Sequence, residues 1–481
     1  MRLLLINPDY MRYSAPPLGF LSLAAYVREH CSFLDLKFLD QVPPAKIISR
    51  IRKSNPDIIG LTAVSENYYL VKFLANKIKE IFPNKILVLG GVHISTSPDS
   101  FKSSPFDFAI RGEGEISFKK LLDSLNNNKN KNRDILEFKK IKGLMFRQGE
   151  KIIDTGLSEF MPCLDNIPLP ARDLLNKNYY KLPSISATED FEPIGCIITS
   201  RGCPHNCRFC SSYAIWKQRV RFFSAERVVK EVEELYHKYR YTKIIFVDDV
   251  FTINKPRIKK IISLLKDKKL LGKIKFEVLG RADSFDEEVA KLLKQLNVIS
   301  IAFGIETGSQ KTLTYLKRGR LNVGDGVKAI SLAKKYNIMG GGFFMLGSPY
   351  ESLEDMQKTY EFIKENCSNH FAVHQTVALP GTEVWDYALK NKIIKNDFYD
   401  KPQKDFVDLR PEILLSKNVS RKDFVDMFYK IKSLHVEQNR GKFSKKIRTL
   451  RLRHLILFLN PLFILKAINL RKRFIRKFIV K

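Results

Sequence analysis

Gly202-Cys203-Pro204-His205-Asn206-Cys207-Arg208-Phe209-Cys210 sets three cysteines at C-x3-C-x2-C spacing. Thiolates this close face one centre if the loop wraps. Soft thiolates select zinc, copper(I) or iron–sulfur clusters. A closed structural zinc site takes four protein ligands. The fourth is missing here unless His205 serves, and a residue held between Pro204 and Asn206 is poorly placed to turn inward. Three ligands on a four-iron cluster would leave one iron open to a substrate atom. A zinc knuckle and unligated thiols stay open as alternatives at this point.

Working outward, the apolar run Ile197–Thr199 reads as a strand feeding directly into the cysteine loop. Downstream, Ile244–Val247 ends in Asp248-Asp249, Phe276–Gly280 in Arg281-Ala282-Asp283, and Ile299–Gly304 in Ile305-Glu306-Thr307-Gly308. Gly342–Leu346 ends in Gly347-Ser348-Pro349, and Val373–Ala378 in Pro380-Gly381-Thr382. Each is followed by helical periodicity, and Ser224 is a candidate N-cap for the helix Ala225–Tyr239. Six such units make a partial (β/α)6 barrel. Catalytic groups of such barrels lie on the loops at the strand C-termini, where polar residues recur in this chain.

Upstream, residues 1–127 alternate strand and helix signals, with strands at Leu3–Ile6, Leu34–Leu39, Ile58–Ala63, Ile86–Leu89 and Phe106–Ile110. Short, wholly apolar strands indicate a doubly covered parallel sheet. Ligands of such sheets bind beyond the strand C-termini, where the loops carry Asn7-Pro8, Ser65, Gly90-Gly91-Val92-His93 and Gly112-Glu113. Paired glycines let backbone approach a bulky ligand closely. Asn126–Asn132 reads as a polar loop, Gly143–Asp154 as a hairpin turning at Gln148-Gly149, and Leu164–Arg172 as an extended proline-rich connector.

The cysteine spacing, with Phe209 just before the third cysteine, resembles the radical S-adenosylmethionine (SAM) enzymes. The resemblance implies a 4Fe-4S cluster on Cys203, Cys207 and Cys210, with SAM on the open iron. It further implies Phe209 against the SAM adenine, Asp248 and Asp249 accepting from the SAM amino group, and Arg281 on its carboxylate. Glu306 would contact ribose or substrate, and Gly347 would permit close approach beside the adenine. Lys317 also matches the family pattern, with no role that the sequence supplies. The N-terminal region resembles the cobalamin-binding domain that precedes many radical modules, through Pro16-Pro17-Leu18-Gly19, Gly90-Gly91-Val92-His93 with Pro98, and Gly112-Glu113-Gly114-Glu115. By that resemblance Asn7, Ser65, Gly90, Gly91, His93, Gly112 and Glu113 are candidate cobalamin contacts. One departure stands out: Asp40 is not followed by the D-x-H-x-x-G histidine that ligates cobalt in many corrin proteins. Cobalt would then lack a protein imidazole at its lower face.

The fold class expected is therefore α/β: a Rossmann-like cobalamin-binding domain (1–130), a linker (131–190), a partial TIM-type radical SAM barrel (191–410), and a helical extension with a basic tail (411–481). The expected activity is C-methylation of a hydrophobic substrate. The resemblance implies one SAM cleaved to a deoxyadenosyl radical and a methyl group delivered through cobalamin. Oxidative cyclisation is the second reading, and a sensor without turnover a third from a different class. A flavodoxin- or ferredoxin-type protein would supply electrons.

Charge is uneven. The chain carries 83 Lys+Arg against 51 Asp+Glu, a net +32, and residues 440–481 contribute 14 basic residues and no acid. There, basic residues interleave with Leu455–Leu459, Leu462–Leu465, Leu470, Phe474 and Phe478. The pattern reads as an amphipathic anchor for an anionic membrane surface, with a solvated helix packed on the barrel as the alternative. The long aliphatic stretch disfavours nucleic acid, since phosphate binding gains nothing from it. The other four of the seven cysteines, Cys31, Cys163, Cys196 and Cys367, are scattered and form no disulfide framework, which points to a reducing, cytoplasmic setting. No stretch reaches the ~18 uninterrupted apolar residues of a membrane span.

Overall fold

The structure is a computed structural model and describes residues 1–8, 16–40, 42–127, 135–175, 193–367, 370–402 and 409–447. The tail segments from Leu455 onward lie outside these residues.

The first sheet holds β1 (Arg2–Asn7), β2 (Asp35–Asp40), β3 (Ile58–Thr62), β4 (Ile86–Gly90), β5 (Phe108–Ile110), β6 (Leu144–Gln148) and β7 (Lys151–Asp154) in the order β2-β1-β3-β4-β5-β6-β7. The first five are parallel. The pleat sends successive side chains to opposite faces. Leu4, Ile6, Ile59, Leu61, Leu87 and Leu89 enter one core, and Leu3, Leu5, Ile58 and Val88 the other. Gly60 sits where β1 and β3 pair, and a Cβ there would lie 2.7 Å from Leu5 Cδ2, so the Leu5 side chain would have to shift. Helices α1 (Leu18–His30), α2 (Pro44–Ser54), α3 (Tyr68–Ile81), α4 (Val92–Thr96), α5 (Gly114–Asn127) and α6 (Ile135–Lys140) connect the strands. The strand order reverses between β1 and β3, the switch point at which open α/β sheets bind ligands. The hairpin expected in the connector instead joins this sheet, antiparallel to β5. The apolar residues Leu144, Met145 and Phe146 pull it in by completing both cores.

The second sheet has six parallel strands in the order β15-β14-β13-β12-β11-β8. In chain order, β8 (Gly195–Ile197) precedes a two-residue antiparallel ladder of β9 (Ser200–Arg201) and β10 (Arg221–Phe222). Then come β11 (Lys243–Phe246), β12 (Lys275–Gly280), β13 (Val298–Glu306), β14 (Met339–Leu346) and β15 (Phe371–Gln375). Each sheet strand lies beside the next, the winding of a barrel rather than of a doubly wound sheet. The helices are α7 (Ser212–Trp216), α8 (Ala225–His237), α9 (Lys255–Asp267), α10 (Glu287–Gln295), α11 (Gln310–Lys317), α12 (Val323–Lys335), α13 (Leu353–Asn366) and α14 (Glu383–Lys390), followed by α15 (Arg421–Ile447). Ser224 caps α8 by accepting the Arg227 N–H. The buried Phe246, Phe251 and Phe276 stack at centroid distances of 4.8 and 5.0 Å. Among the described residues, no helix is long and apolar enough to cross a membrane.

Candidate functional site

The cysteine loop leaves β9 through Gly202, whose φ of +98° and tight seat on the Arg219 carbonyl exclude any side chain. Backbone and side-chain bonds then pin the loop to its neighbours. The Arg208 N–H donates to Leu316 O at 3.0 Å, and the Val384 N–H donates to Arg208 O at 3.2 Å. Arg318 Nε donates to Asn206 O at 2.7 Å, and Gln218 Nε2 to Pro204 O at 3.1 Å. The Arg208 guanidinium lies 5.0 Å over the Tyr315 ring and, with Arg318, pairs with Glu383. Cys203, Cys207 and Cys210 are all half-buried with free thiols. Burial raises the Cys203 thiol and pushes Cys210 up to about 12.

The strand ends bring charged groups to this loop. Arg281, at the end of β12, is buried and reaches Cys207 Sγ at 3.8 Å through Nη1. Its Nε and Nη2 donate to the two Asp283 oxygens at 3.0 and 2.7 Å, a bidentate fork that fixes the guanidinium plane. Glu306, at the end of β13, takes a left-handed φ of +69° where the pairing with β14 slips register. Its carboxylate accepts from Lys317 Nζ at 2.8 Å, and that ammonium also lies 5.4 Å over the Phe209 ring. Burial alone would lower the Lys317 pKa; Glu306 and Cys207 outweigh it and hold it above its ordinary value. Phe209 packs beside a core of Ala378, Val384, Trp385 and Tyr399.

The two aspartates after β11 part ways. Asp248 is 1% exposed, and its oxygens accept from the Thr199 N–H at 2.5 Å, the Ser200 N–H at 3.1 Å and the Thr199 hydroxyl, with Arg257 3.6 Å away. It is consumed in holding the approach to the cysteine loop. Asp249 is solvent-exposed and accepts from Ser212 Oγ at 2.8 Å. Its close surroundings nonetheless raise its carboxyl above the ordinary range. Gly347 has φ +81°, and a Cβ there would lie 2.8 Å from Leu414 Cδ1 and 3.0 Å from Phe424. The glycine admits the C-terminal segment, a packing role that the strand-end position alone did not disclose.

At the C-terminal edge of the first sheet the polar candidates are mostly engaged. His93 is 1% exposed; its Nδ1 and Nε2 lie 3.0 Å from Ser65 Oγ and Ser100 Oγ, and its ring stacks 3.9 Å from Tyr68. Burial pushes it down to about 3, so it is a neutral, doubly partnered core histidine. Asn7 Nδ2 donates to Asp40 Oδ1 at 2.8 Å. Gly112 has φ +88° and donates its N–H to Ser95 Oγ at 2.8 Å. Glu113 is 6% exposed and meets Arg201 and Arg221. What the edge presents openly is Gly90, with nothing within 4 Å of an added Cβ, and the exposed Val64 and Val92. Gly91, at φ +100°, begins α4 against the Ala63 carbonyl.

The cysteine loop fits its group on donor chemistry, and the first sheet's edge fits a corrin on shape and apolarity. Among the described residues no three His, Cys, Asp or Glu side chains are arranged for a single metal ion. Three soft, half-buried thiols on one loop suit an iron–sulfur cluster. The bare glycine and apolar edge of the first sheet suit a broad, flat macrocycle.

The class defined by this pairing is a radical SAM enzyme with a cobalamin-binding module. Residues 197–363 match the family model of the radical SAM superfamily, and residues 9–122 that of the B12 binding domain. An uncharacterised methyltransferase of Pyrococcus horikoshii is 33% identical over 79% of this chain and 80% of its own length. The anaerobic magnesium-protoporphyrin IX monomethyl ester cyclase of Cereibacter sphaeroides is 27% identical over 75% of this chain and 59% of its own. The radical SAM methyltransferase TsrM of Kitasatospora setae, solved with cobalamin and a 4Fe-4S cluster, superposes with TM-score 0.66 at 16% identity, covering 82% of this chain and 76% of that one. The chain belongs to the family of cobalamin-dependent radical SAM methyltransferases and related cyclases, and its cofactors are a 4Fe-4S cluster, SAM and cobalamin.

Sequence reasoning left Lys317 without a role and passed over Arg201, Arg208 and Arg221. Their signal was present: three of the four flank or interrupt the cysteine motif and its returning strand, where surplus positive charge needs buried anions.

Proposed function

We propose that this enzyme methylates an unactivated carbon of a hydrophobic small molecule. The observation that carries the reading is the Arg281 guanidinium set against Cys207 Sγ by its Asp283 fork, with the exposed Asp249 on the neighbouring strand end. A cation beside a cluster ligand and an exposed carboxylate on the next strand end are the two charges that an amino-acid-bearing ligand such as SAM needs. In this reading Cys203, Cys207 and Cys210 hold the cluster, Arg281 takes the SAM carboxylate and Asp249 its amino group. Asp248 serves by fixing Thr199. Glu306 and Lys317 act as a buried pair that orients Phe209 and any ribose contact. When bound, the cluster supplies the electron that cleaves SAM, and cobalamin supplies the methyl group. Residues 1–130, completed by the β6–β7 hairpin, serve the corrin, and 191–410 the radical chemistry. Val64, Val92 and Gly90 meet the macrocycle, and His93 leaves the cobalt alone because both its nitrogens are occupied.

The hydrophobic substrate is supported by the basic, apolar segment 440–481, which suits an anionic membrane surface. A flavodoxin- or ferredoxin-type donor would deliver the electron. Oxidative cyclisation is the second reading, supported by the likeness to the Cereibacter cyclase. The test is anaerobic reconstitution with iron, sulfide and hydroxocobalamin, followed by assay for deoxyadenosine under reducing conditions. Deoxyadenosine is expected; its absence from a cluster-loaded protein refutes the enzyme reading. Lipid profiling of a deletion strain separates methylation, which adds a carbon, from cyclisation, which removes hydrogens. Failure of the full-length chain to sediment with anionic liposomes at low salt would remove the support for a membrane substrate.

A further inference from the structure

Arg201 and Arg221 are direct cross-strand partners in the β9–β10 ladder that closes the base of the cysteine loop. Like charges placed opposite each other destabilise a ladder, and this ladder has only two residues a side. The anion that joins them comes from the first sheet. Glu113 Oε1 accepts from Arg201 Nη1 at 2.8 Å and from Arg221 Nη2 at 2.6 Å, while Oε2 accepts from Arg221 Nη1 at 2.9 Å and from the Met161 N–H at 2.7 Å. Glu115 takes the other end of Arg201 at 2.6 Å. Both acids are buried. Burial would raise the Glu113 carboxyl, but Arg221 and Arg201 outweigh it and hold it below the ordinary range.

The same loop is tied to the edge that presents Gly90 and Val92. Gly112 donates to Ser95 Oγ, which itself donates to Gly91 O at 2.8 Å at the start of α4. Beyond the third cysteine the contact recurs, because a Cβ on Gly381 would lie 3.0 Å from Ala214 Cβ in α7 and 3.5 Å from Thr96 Cβ in α4. The loop that holds the three thiols is thus referenced to α4 before Cys203 and after Cys210.

We propose that Glu113 is a positioning residue for the cysteine loop: by bridging Arg201 and Arg221 it locks the base of that loop to the C-terminal edge of the first sheet, and so sets the cluster ligands relative to the corrin site. This replaces the direct cobalamin contact expected of Glu113, and it rests on the two-cofactor reading above.

The test compares full-length wild type with Glu113→Gln and with Lys72→Ala. The latter breaks a different link between the two halves, the 3.3 Å pair with Asp400. In cluster-free protein, hydrogen exchange of the peptide spanning 199–212 should quicken about tenfold in Glu113→Gln and stay unchanged in Lys72→Ala. After reconstitution Glu113→Gln should shift the electron paramagnetic resonance spectrum of the reduced cluster and slow deoxyadenosine formation about 10- to 100-fold. Its affinity for hydroxocobalamin should stay within about twofold of wild type. Unchanged exchange and spectrum would overturn the proposal, leaving an ordinary ion pair. Lost corrin binding with an unchanged cluster spectrum would overturn it too, restoring a direct contact. If Glu113→Gln does not fold, Arg221→Gln is read by the same criteria. Wild type without deoxyadenosine would refute the enzyme reading, whereas the exchange result stands apart from it.

Discussion

The C-terminal edges of the two sheets are built from similar residues and used in opposite ways. The second sheet turns charge toward its loop: Arg281 touches a thiol, Asp249 is open, and Lys317 lies over Phe209. The first sheet spends its polar groups on protein partners, with His93 between two serines and Glu113 between the two arginines of the β9–β10 ladder, and shows Val64, Val92 and Gly90 to the outside. A small zwitterion is recognised by charges at fixed points, whereas a large macrocycle is held by area. Polar residues at strand ends therefore carry no fixed meaning until their partners are counted.

The contrast breaks most completely at the thiols. Replacing Cys203, Cys207 or Cys210 by Ala should abolish iron loading and reduce deoxyadenosine formation to the enzyme-free background. Iron analysis with a radical assay checks this, and retained activity refutes the ligand assignment.

The aspartate pair gives the next largest effect, and in two different currencies. Asp248→Asn leaves Arg257 buried without its counter-charge and should cost about 3–5 kcal/mol of stability, read by denaturant unfolding. Asp249→Asn should leave stability nearly unchanged and weaken SAM binding about 10- to 100-fold, read by isothermal titration on reconstituted protein. A reversed pattern would exchange their roles.

His93 sharpens the comparison through pH. Its folded pKa of about 3 lies below the ordinary 6.5, so as pH falls below 6.5 the unfolded chain takes up a proton that the folded one refuses. Stability is lost from pH 6.5 down to about 3, amounting to roughly 2 kcal/mol by pH 5. Urea unfolding of His93→Asn at pH 7 and 5 should show that increment missing, with hydroxocobalamin binding intact at pH 7. Lost corrin binding would restore His93 as a direct cobalamin contact.

The smallest effects belong to the apolar edge. Val92→Ala should weaken hydroxocobalamin binding about fivefold through lost buried area. Gly90→Ala has room for its methyl and should change stability by less than about 0.5 kcal/mol, so any fall in corrin affinity reads the approach of the ring alone.

Much of this was legible beforehand. Apolar runs ending in Asp248-Asp249, Arg281 and Glu306 announced the barrel, because strand period and strand-end polarity are written locally. What stayed hidden depends on partners remote in sequence. Nothing near Asp248 distinguishes it from Asp249; Thr199 and Arg257 do, and they arrive from other elements. Likewise Gly347 was legible as a strand-end glycine that permits close approach, but the Leu414 and Phe424 side chains that approach it lie far down the chain. The hairpin after Gly143 was recognised as a hairpin, yet its edge-on addition to β5 had no local signature.

That hairpin determines where the chain can be divided. Phe138, Ile141, Leu144 and Phe146 belong to one core of the first sheet, and Met145 to the other. A fragment ending at residue 130 would strip both faces of aromatic and aliphatic mass and bare the whole hydrogen-bonding edge of β5, a template for intermolecular strand addition. A fragment carried through Asp154 keeps β5 paired and ends on the short strand β7, which opens with Lys151. Ala171 and Leu174 also pack on this core, and Leu175 on Leu21, so for dissection, crystallisation or transplantation of the corrin-binding half the natural cut falls after Leu175, well beyond the point where sequence complexity drops.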